Sequence, residues 1–517
     1  MAVFTDVKST VVLLSFAVVV CIYGLVVYRL YFHPLSKFPG PFFRAVSELP
    51  AIFGLVSGRN HAIIKGLHDQ YGSVVRLAPN ELSFCGADAW EDIYGLRAFD
   101  EPMEKDPNWA GVTNASPDGA LVLTQAPGAH HTRLRRAWAQ PFSTTSCMQQ
   151  EPIIQEQVEK FISILMGHAK AGQPVNMSQQ FLSLMLDIIS DLCFSAPFGC
   201  LDNASGIEWS RRLRTATYCM VGEMITKRLA GPGTFLQKLL YKYAVPSRYK
   251  EAKLGHFMES KEKILKRIDD GEKIERKDFI YFVLRQNEVR NVLSPSELFV
   301  NTSLFIAAGS DTTALNLAVT TYFLLTSPDA YKALVSEVRN NPNIHSAADL
   351  KWSNLKNLPY LGAVINESLR LRAVIVSGLL RAVPRNGATI DGRFVPAGTT
   401  VSVHMWSACH STCNFTRPQE FLPERWVYPE QFPNDKKHAA QPFSYGPRGC
   451  IGKMLSLIEQ KIILAHIIWH FDLELEGSSE AAWKWACDGD EFRYIKTYIN
   501  WEKPDELMVR LIPVQRD

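Results

Sequence analysis

The stretch "FSYGPRGCIG", residues 443–452, sets Cys450 among Gly446, Gly449 and Gly452, two residues after Arg448. A structural cysteine more often sits in an apolar run as a small hydrophobe. Here the glycines let the backbone turn sharply and approach a flat object closely. The next residues, "KMLSLIEQKIILAHIIWHF", have helical spacing, and the N-terminal amides of such a helix favour a thiolate just ahead of it. A thiolate beneath a large planar ligand is the axial arrangement of haem-thiolate proteins. Arg448 is then placed to face an anionic edge of that ligand.

Working outward, the clearest helix start is Ser294-Pro295-Ser296-Glu297, which combines a serine cap, a proline at the first helical position and a capping-box glutamate. The next proline is Pro328, so the pattern predicts a helix of roughly 33 residues, far above the usual 11–12. In its middle lies "AAGSDTT", residues 307–313, where Gly309 beside Asp311 and Thr312 interrupts an otherwise apolar pattern. A mid-helix glycine costs about 1 kcal/mol relative to alanine, so it calls for a reason. Glu367 and Arg370 share a face on a helix beginning near Leu358; alone they read as a solvated i,i+3 pair.

Taken together, Phe443-x-x-Gly446-x-Arg448-x-Cys450-x-Gly452, "AAGSDTT", Glu367-x-x-Arg370 and Arg425 in "FLPERW" occur in the order found in the cytochrome P-450 family, which the chain resembles. The resemblance implies a mainly α fold with small β-sheets (α+β), a long central helix over a haem b, and Cys450 as the axial iron ligand. It implies that this helix opens at Ala308-Gly309 to admit dioxygen, that Asp311 and Thr312 supply protons for oxygen activation, and that Glu367, Arg370 and Arg425 form a buried network. Arg135 and His131 in "HHTRLRRAWAQPFS" and Arg381 in "GLLRAVP" match positions that hold haem propionates in the family. Two of these depart from the pattern: His131 stands where the family often has Trp, and Leu380 where a proline often precedes Arg381. Pocket candidates are the loop "NWAGVTNASPDGALVL", Phe305 to Ala308, and Val374, Val376 and Leu379.

The implied activity is monooxygenation of an apolar small molecule. Electrons would come from NADPH through a separate NADPH-cytochrome P-450 reductase, with cytochrome b5 as a second donor, since the chain shows no dinucleotide fingerprint of its own. "YFHPLSKFPGP" and "FIAAGSDTT" resemble filamentous-fungal microsomal members of secondary metabolism, which points to a terpenoid or polyketide intermediate. The same oxidant serves hydroxylation, epoxidation, desaturation, ring coupling and multi-step oxidation, so the sequence leaves these open. A haem-thiolate isomerase or dehydratase working without a reductase is the rival, and it has no use for an acid–alcohol pair such as Asp311-Thr312.

At the N-terminus, "VVLLSFAVVVCIYGLVVY", residues 11–28, is an uncharged run long enough to cross a bilayer as a helix. Arg29, Lys37 and Arg44 come after it, which by the positive-inside tendency leaves the rest of the chain in the cytosol, on the endoplasmic reticulum membrane. Residues 1–30 therefore read as a membrane anchor, 31–45 as a stiff, extended proline-rich connector, and 46–517 as one catalytic domain. The net charge of +3 over 517 residues, with scattered basic residues, offers no nucleic-acid groove. Ten cysteines without a C-x-x-C pair suit a reducing compartment.

Overall fold

The Ser294 hydroxyl accepts the amide N–H of Glu297, and the Glu297 carboxylate accepts the N–H of Ser294 in return, closing the expected capping box. The helix it starts runs from Pro295 to Leu325, 31 residues. Most of its side chains are buried on every side, so it is a core strut around which the other helices pack. The computed structural model describes residues 2–96, 101–109, 119–203, 205–271, 276–290, 293–487, 496–497 and 506–515.

The closest neighbour of the strut is the Met177–Phe194 helix, and the reason lies in Gly309. A Cβ there would sit 2.8 Å from Ile189 Cδ1 and 3.0 Å from Cγ1. The expected opening of the helix at Ala308-Gly309 is not seen. The helix continues unbroken, with Thr312 Oγ1 donating to the Ala308 carbonyl at 2.6 Å and Ser310 Oγ to Ile306 at 2.8 Å. Gly309 is thus a close-packing residue.

Nine short strands complete the described fold: β1 (Val74–Ala78), β2 (Glu81–Phe84), β3 (Val175–Asn176), β4 (Arg381–Ala382), β5 (Ala388–Ile390), β6 (Arg393–Val395), β7 (Thr400–Val403), β8 (Phe471–Leu475) and β9 (Met508–Pro513). They form a sheet in the order β1-β2-β7-β4, a second in the order β3-β9-β8, and the β5-β6 hairpin. The chain is mainly helical, as the sequence implied, and β1, β7 and β9 lie within the β-branched-rich runs "SVVRLAP", "GTTVSVHMW" and "DELMVRLIP".

The apolar N-terminal helix spans Ala2–Val27 and continues as a wider π-helical turn, Tyr28–Phe32. Ser9–Phe32 is apolar and unburied throughout, long enough to span a membrane. The segment after it differs from the extended connector expected. Leu35 and Phe38 are buried against the first sheet in a cluster with Val74, Leu82 and Phe84, Pro39 accepts the Arg76 amide at 2.7 Å, and Phe42–Val46 is helical. Proline ends the first helix as expected, but burial of the two apolar side chains folds this segment onto the first sheet.

Gly309→Ala should lower stability by about 1–3 kcal/mol through overpacking, measured as a lower denaturant midpoint at unchanged slope. Ile189→Val removes the nearest atom and should recover part of that loss. Strict additivity of the two substitutions would show that they do not meet.

Candidate active site

Gly446 holds φ +71° with its Cα against Tyr94; a Cβ would lie 1.9 Å from the Tyr94 carbonyl oxygen. That approach admits no side chain. It folds residues 443–450 into a tight loop in which the Cys450 N–H donates to the Phe443 carbonyl at 2.7 Å and the Gly449 N–H to Gly446 at 2.9 Å. Arg135, from the Gly128–Ala139 helix, clamps the same loop with Nη1 donating to the Gly449 carbonyl at 2.7 Å. Gly452 then caps the Lys453–His470 helix, while the Lys453 ammonium lies 5.9 Å from the centre of the Phe443 ring.

Cys450 is exposed in the sense that nothing covers its sulfur, yet protein surrounds it closely enough for burial to raise the thiol pKa. The Gly452 and Lys453 amides and the Arg135 charge pull in the opposite direction. Ala308, in the middle of the central strut, is likewise exposed while Phe305, Ile306, Ser310 and Thr313 around it are buried. The elements that carry these two open side chains are tied together nearby: Thr313 Oγ1 meets Ser456 Oγ at 3.1 Å and Asn316 Nδ2 donates to Gln460 Oε1 at 2.5 Å. Those bonds join the strut to the helix after Cys450. Asp311 and Thr312, next to Ala308 on the strut, are both half-buried.

One flank of this site is crowded with basic groups. Arg381 is buried in β4, its guanidinium 5.1 Å from the centre of the Tyr94 ring. Arg448 donates to the Ala126 carbonyl at 2.8 Å and to the Glu104 carboxylate at 2.6 Å. Burial lowers the Arg381 pKa to about 10 with help from the Arg448 charge, against the opposing pull of Tyr94 and Glu104. Burial also lowers His131 to about 4, assisted by Arg448, Arg135, Lys105 and Arg381. Four cations and a buried imidazole with so little negative charge among them are costly. A ligand carrying two carboxylates beside the Cys450 sulfur would relieve that cost, so the residues present fit haem b: thiolate on the iron, propionates on this flank.

Beneath the loop lies a fully buried network. The Glu367 carboxylate accepts from Arg370 Nε at 2.9 Å and Nη2 at 2.8 Å, Arg425 Nε at 2.9 Å, Trp426 Nε1 at 2.8 Å and the Leu422 amide at 3.1 Å. Arg370 also donates to the carbonyls of Cys409, Pro418 and Glu420, and Arg425 pairs with Asp435. The solvated pair suggested by spacing alone is therefore a hub.

Among the pocket candidates, Phe305 belongs to an aromatic cluster, 4.7 Å from Trp138 and 5.1 Å from Phe142. Val374 and Val376 are buried in the main core, while the intervening Ile375 and then Ser377 are more open. Leu379 is half-buried and gives its carbonyl to Tyr94 Oη at 2.9 Å. Residues 110–118 of the candidate loop lie outside the described residues. Sequence reasoning missed Lys105, Glu104 and Asp435; all lie in short charged runs of loops, Glu104-Lys105-Asp106 and Asp435-Lys436-Lys437, with no periodicity or motif to mark them. Trp426 could have been noticed beside Arg425 in "FLPERW".

Comparison with known proteins agrees with this geometry. The sequence model of the family described as Cytochrome P450 matches residues 38–482. The chain is 42% identical over 510 residues to cytochrome P450 monooxygenase aba2 of Botryotinia fuckeliana, covering 98% of this chain and 95% of the relative. It is 39% identical over 493 residues to cytochrome P450 monooxygenase ABA2 of Pyricularia oryzae, covering 94% and 93%, and 37% identical over 503 residues to cytochrome P450 monooxygenase astJ of Aspergillus oryzae, covering 95% of each.

Glu367→Ala leaves the buried Arg370 guanidinium without its carboxylate and takes one of two from Arg425, and should cost roughly 3–5 kcal/mol, seen as loss of haem-loaded protein; a normal holoprotein yield would contradict the hub. Burial alone would raise the Glu367 pKa, but Arg370, Arg425 and Trp426 overcome it and hold it below the ordinary value of 4.5. The stability that Glu367 contributes is therefore complete above that value and lost as pH falls through its lower folded pKa. In acid titrations followed by circular dichroism, Glu367→Gln should lack this limb.

Proposed function

Since the chain belongs to the cytochrome P450 family, we propose that it is a membrane-anchored haem-thiolate monooxygenase that oxidises a neutral, apolar small molecule, a terpenoid- or polyketide-like intermediate of fungal secondary metabolism. Electrons come from NADPH through a separate reductase, with cytochrome b5 as a second donor. The observation that carries this reading is the pair of exposed side chains, Cys450 and Ala308, on two elements joined by hydrogen bonds, with half-buried Thr312 one turn from Ala308. Haem bound there supplies the activation of dioxygen, which needs an electron-rich axial thiolate, two electrons and two protons.

The residues divide this work between the two walls. Cys450 provides the thiolate; bare, its thiol is held up by burial, so metal binding must displace the proton. The Gly452 and Lys453 amides remain as donors to the sulfur and moderate how much charge it passes on. On the opposite wall, Thr312 Oγ1 gives its proton to the Ala308 carbonyl. In that position its lone pairs face away from Ala308 and can accept a proton relayed from Asp311 or water. To deliver a proton into the gap, the hydroxyl must rotate off Ala308. Thr312 is thus a switchable donor, with Asp311 as the upstream acid.

Substrate selection falls to apolar side chains that remain partly open: Leu304 and Ala307 on the strut, Ile375 across from it and Leu121 before the Gly128–Ala139 helix. Such a lining favours a neutral apolar molecule. The apolar N-terminal helix, with Arg29, Lys37 and Arg44 after it, supports placement on the cytosolic face of the endoplasmic reticulum and entry of the substrate from the lipid.

In membranes containing the protein and a reductase, turnover should require both NADPH and dioxygen. Thr312→Ala should keep most NADPH consumption but divert it to hydrogen peroxide, with product formation falling about 10²-fold or more, the scale of a lost proton donor. Product formed without NADPH would refute the monooxygenase reading, and unchanged coupling in Thr312→Ala would remove that residue from proton delivery.

A further inference from the structure

Lys105 lies in the segment before the Gly128–Ala139 helix and is held there by backbone bonds. It forms an antiparallel bridge with Arg381, adding one residue to the edge of β4. On either side, the Glu104 carbonyl accepts the Ala382 N–H at 2.8 Å and the Asp106 N–H donates to the Leu380 carbonyl at 3.3 Å. Directly opposed residues of an antiparallel bridge send their side chains to the same face. The Lys105 amine and the Arg381 guanidinium therefore share a face, which Arg448 also approaches.

This pairing is unfavourable as it stands. Like charges directly opposite each other destabilise a cross-strand pair, and this one is largely withdrawn from water. Burial, then Arg381 and Arg448, hold the Lys105 pKa well below its ordinary value. Among the described residues no carboxylate or carbonyl accepts a hydrogen bond from the Lys105 amine. The nearby acids are committed elsewhere: Glu104 to Arg448 and the Gly128 amide, Asp106 to Thr400 Oγ1 and the Asn108 amide. A backbone that fixes two cations face to face beside a third calls for an anion between them.

We propose that Lys105 is a further haem-binding residue, its amine pairing with a propionate carboxylate shared with Arg381 and Arg448. This rests on the reading that haem sits on Cys450. The buried His131 imidazole, held neutral by the surrounding cations, brings no charge to the propionates, and Lys105 supplies it from a different element. The Glu104 carboxylate on Arg448 marks where an anion is accepted on this flank.

The test compares haem-loaded wild type, Lys105→Met and Lys105→Arg by the rate at which haem passes to excess apomyoglobin, monitored by absorbance. Loss of a charged pair of this kind should speed release from Lys105→Met roughly tenfold or more, while Lys105→Arg retains most of the hold. With haem dimethyl ester, whose propionates carry no charge, wild type and Lys105→Met should release at the same rate. Equal release of ordinary haem, or a difference that persists with the ester, overturns the assignment. Should neither variant load haem, wild type alone decides: Lys105 should be protected from acetic anhydride, read by peptide mass spectrometry, in the haem-loaded protein and not after haem removal. Equal labelling in both states would overturn the proposal. Wild type that takes up no haem at all would instead remove the reading beneath it, a distinct failure.

Discussion

Five N–H groups from four residues converge on the Glu367 carboxylate in a place with no access to water. A carboxylate so enclosed is tolerable only because two guanidinium groups and an indole share its charge, and it is in turn the carboxylate partner of Arg370 and, with Asp435, of Arg425. The mutual dependence has a structural consequence. Arg370 carries it to the carbonyls of Cys409, Pro418 and Glu420, and Arg425 to those of Thr416 and Arg417. An irregular stretch with few backbone partners of its own is thereby pinned to the Pro359–Leu371 helix. That stretch leads into residues 443–450, so the position of the Cys450 sulfur inherits its rigidity from a charge balance some distance away.

The opposite wall is held by a different kind of constraint. Thr312 is fixed through its neighbours: Thr313 and Asn316 bond to the helix after Cys450, and Gly309 lets Ile189 press against the strut from the other side. The small side chain of Ala308 is exposed on that same unbroken helix, so room for a ligand beside it requires no break in the helix.

Much of this was readable in the sequence. The cysteine loop, the capping box and the length of the strut arise from local rules that tertiary context rarely overrides: glycine where backbone must approach backbone, proline and glutamate where a helix must begin. Placement of Phe305, Val374 and Val376 was not readable, because proximity along the chain to a site says nothing about which face of an element turns toward it. Phe305 occupies the same strut as Ala308, three residues away, yet its ring completes an aromatic cluster with Trp138 and Phe142. Lys105 was invisible for a related reason. Its partner is 276 positions further along the chain, and no local pattern encodes a bridge of that span.

The region after the membrane-length helix shows how the same limits act at larger scale. Three prolines between residues 34 and 41 correctly predict that the helix stops, but a stop does not imply extension. Arg76 donates to the Arg29 carbonyl at 2.9 Å, and Arg29 to the Val46 carbonyl at 2.6 Å, while Leu35 and Phe38 fill the core beneath the first sheet. These contacts leave no free hinge between residues 28 and 46. A helix that ends in hydrogen bonds to the sheet cannot swivel independently of it, so the angle at which it leaves fixes which side of the catalytic unit faces the membrane it can span. The prolines set where that angle begins; burial of two apolar side chains and two arginine bonds to carbonyls determine its size.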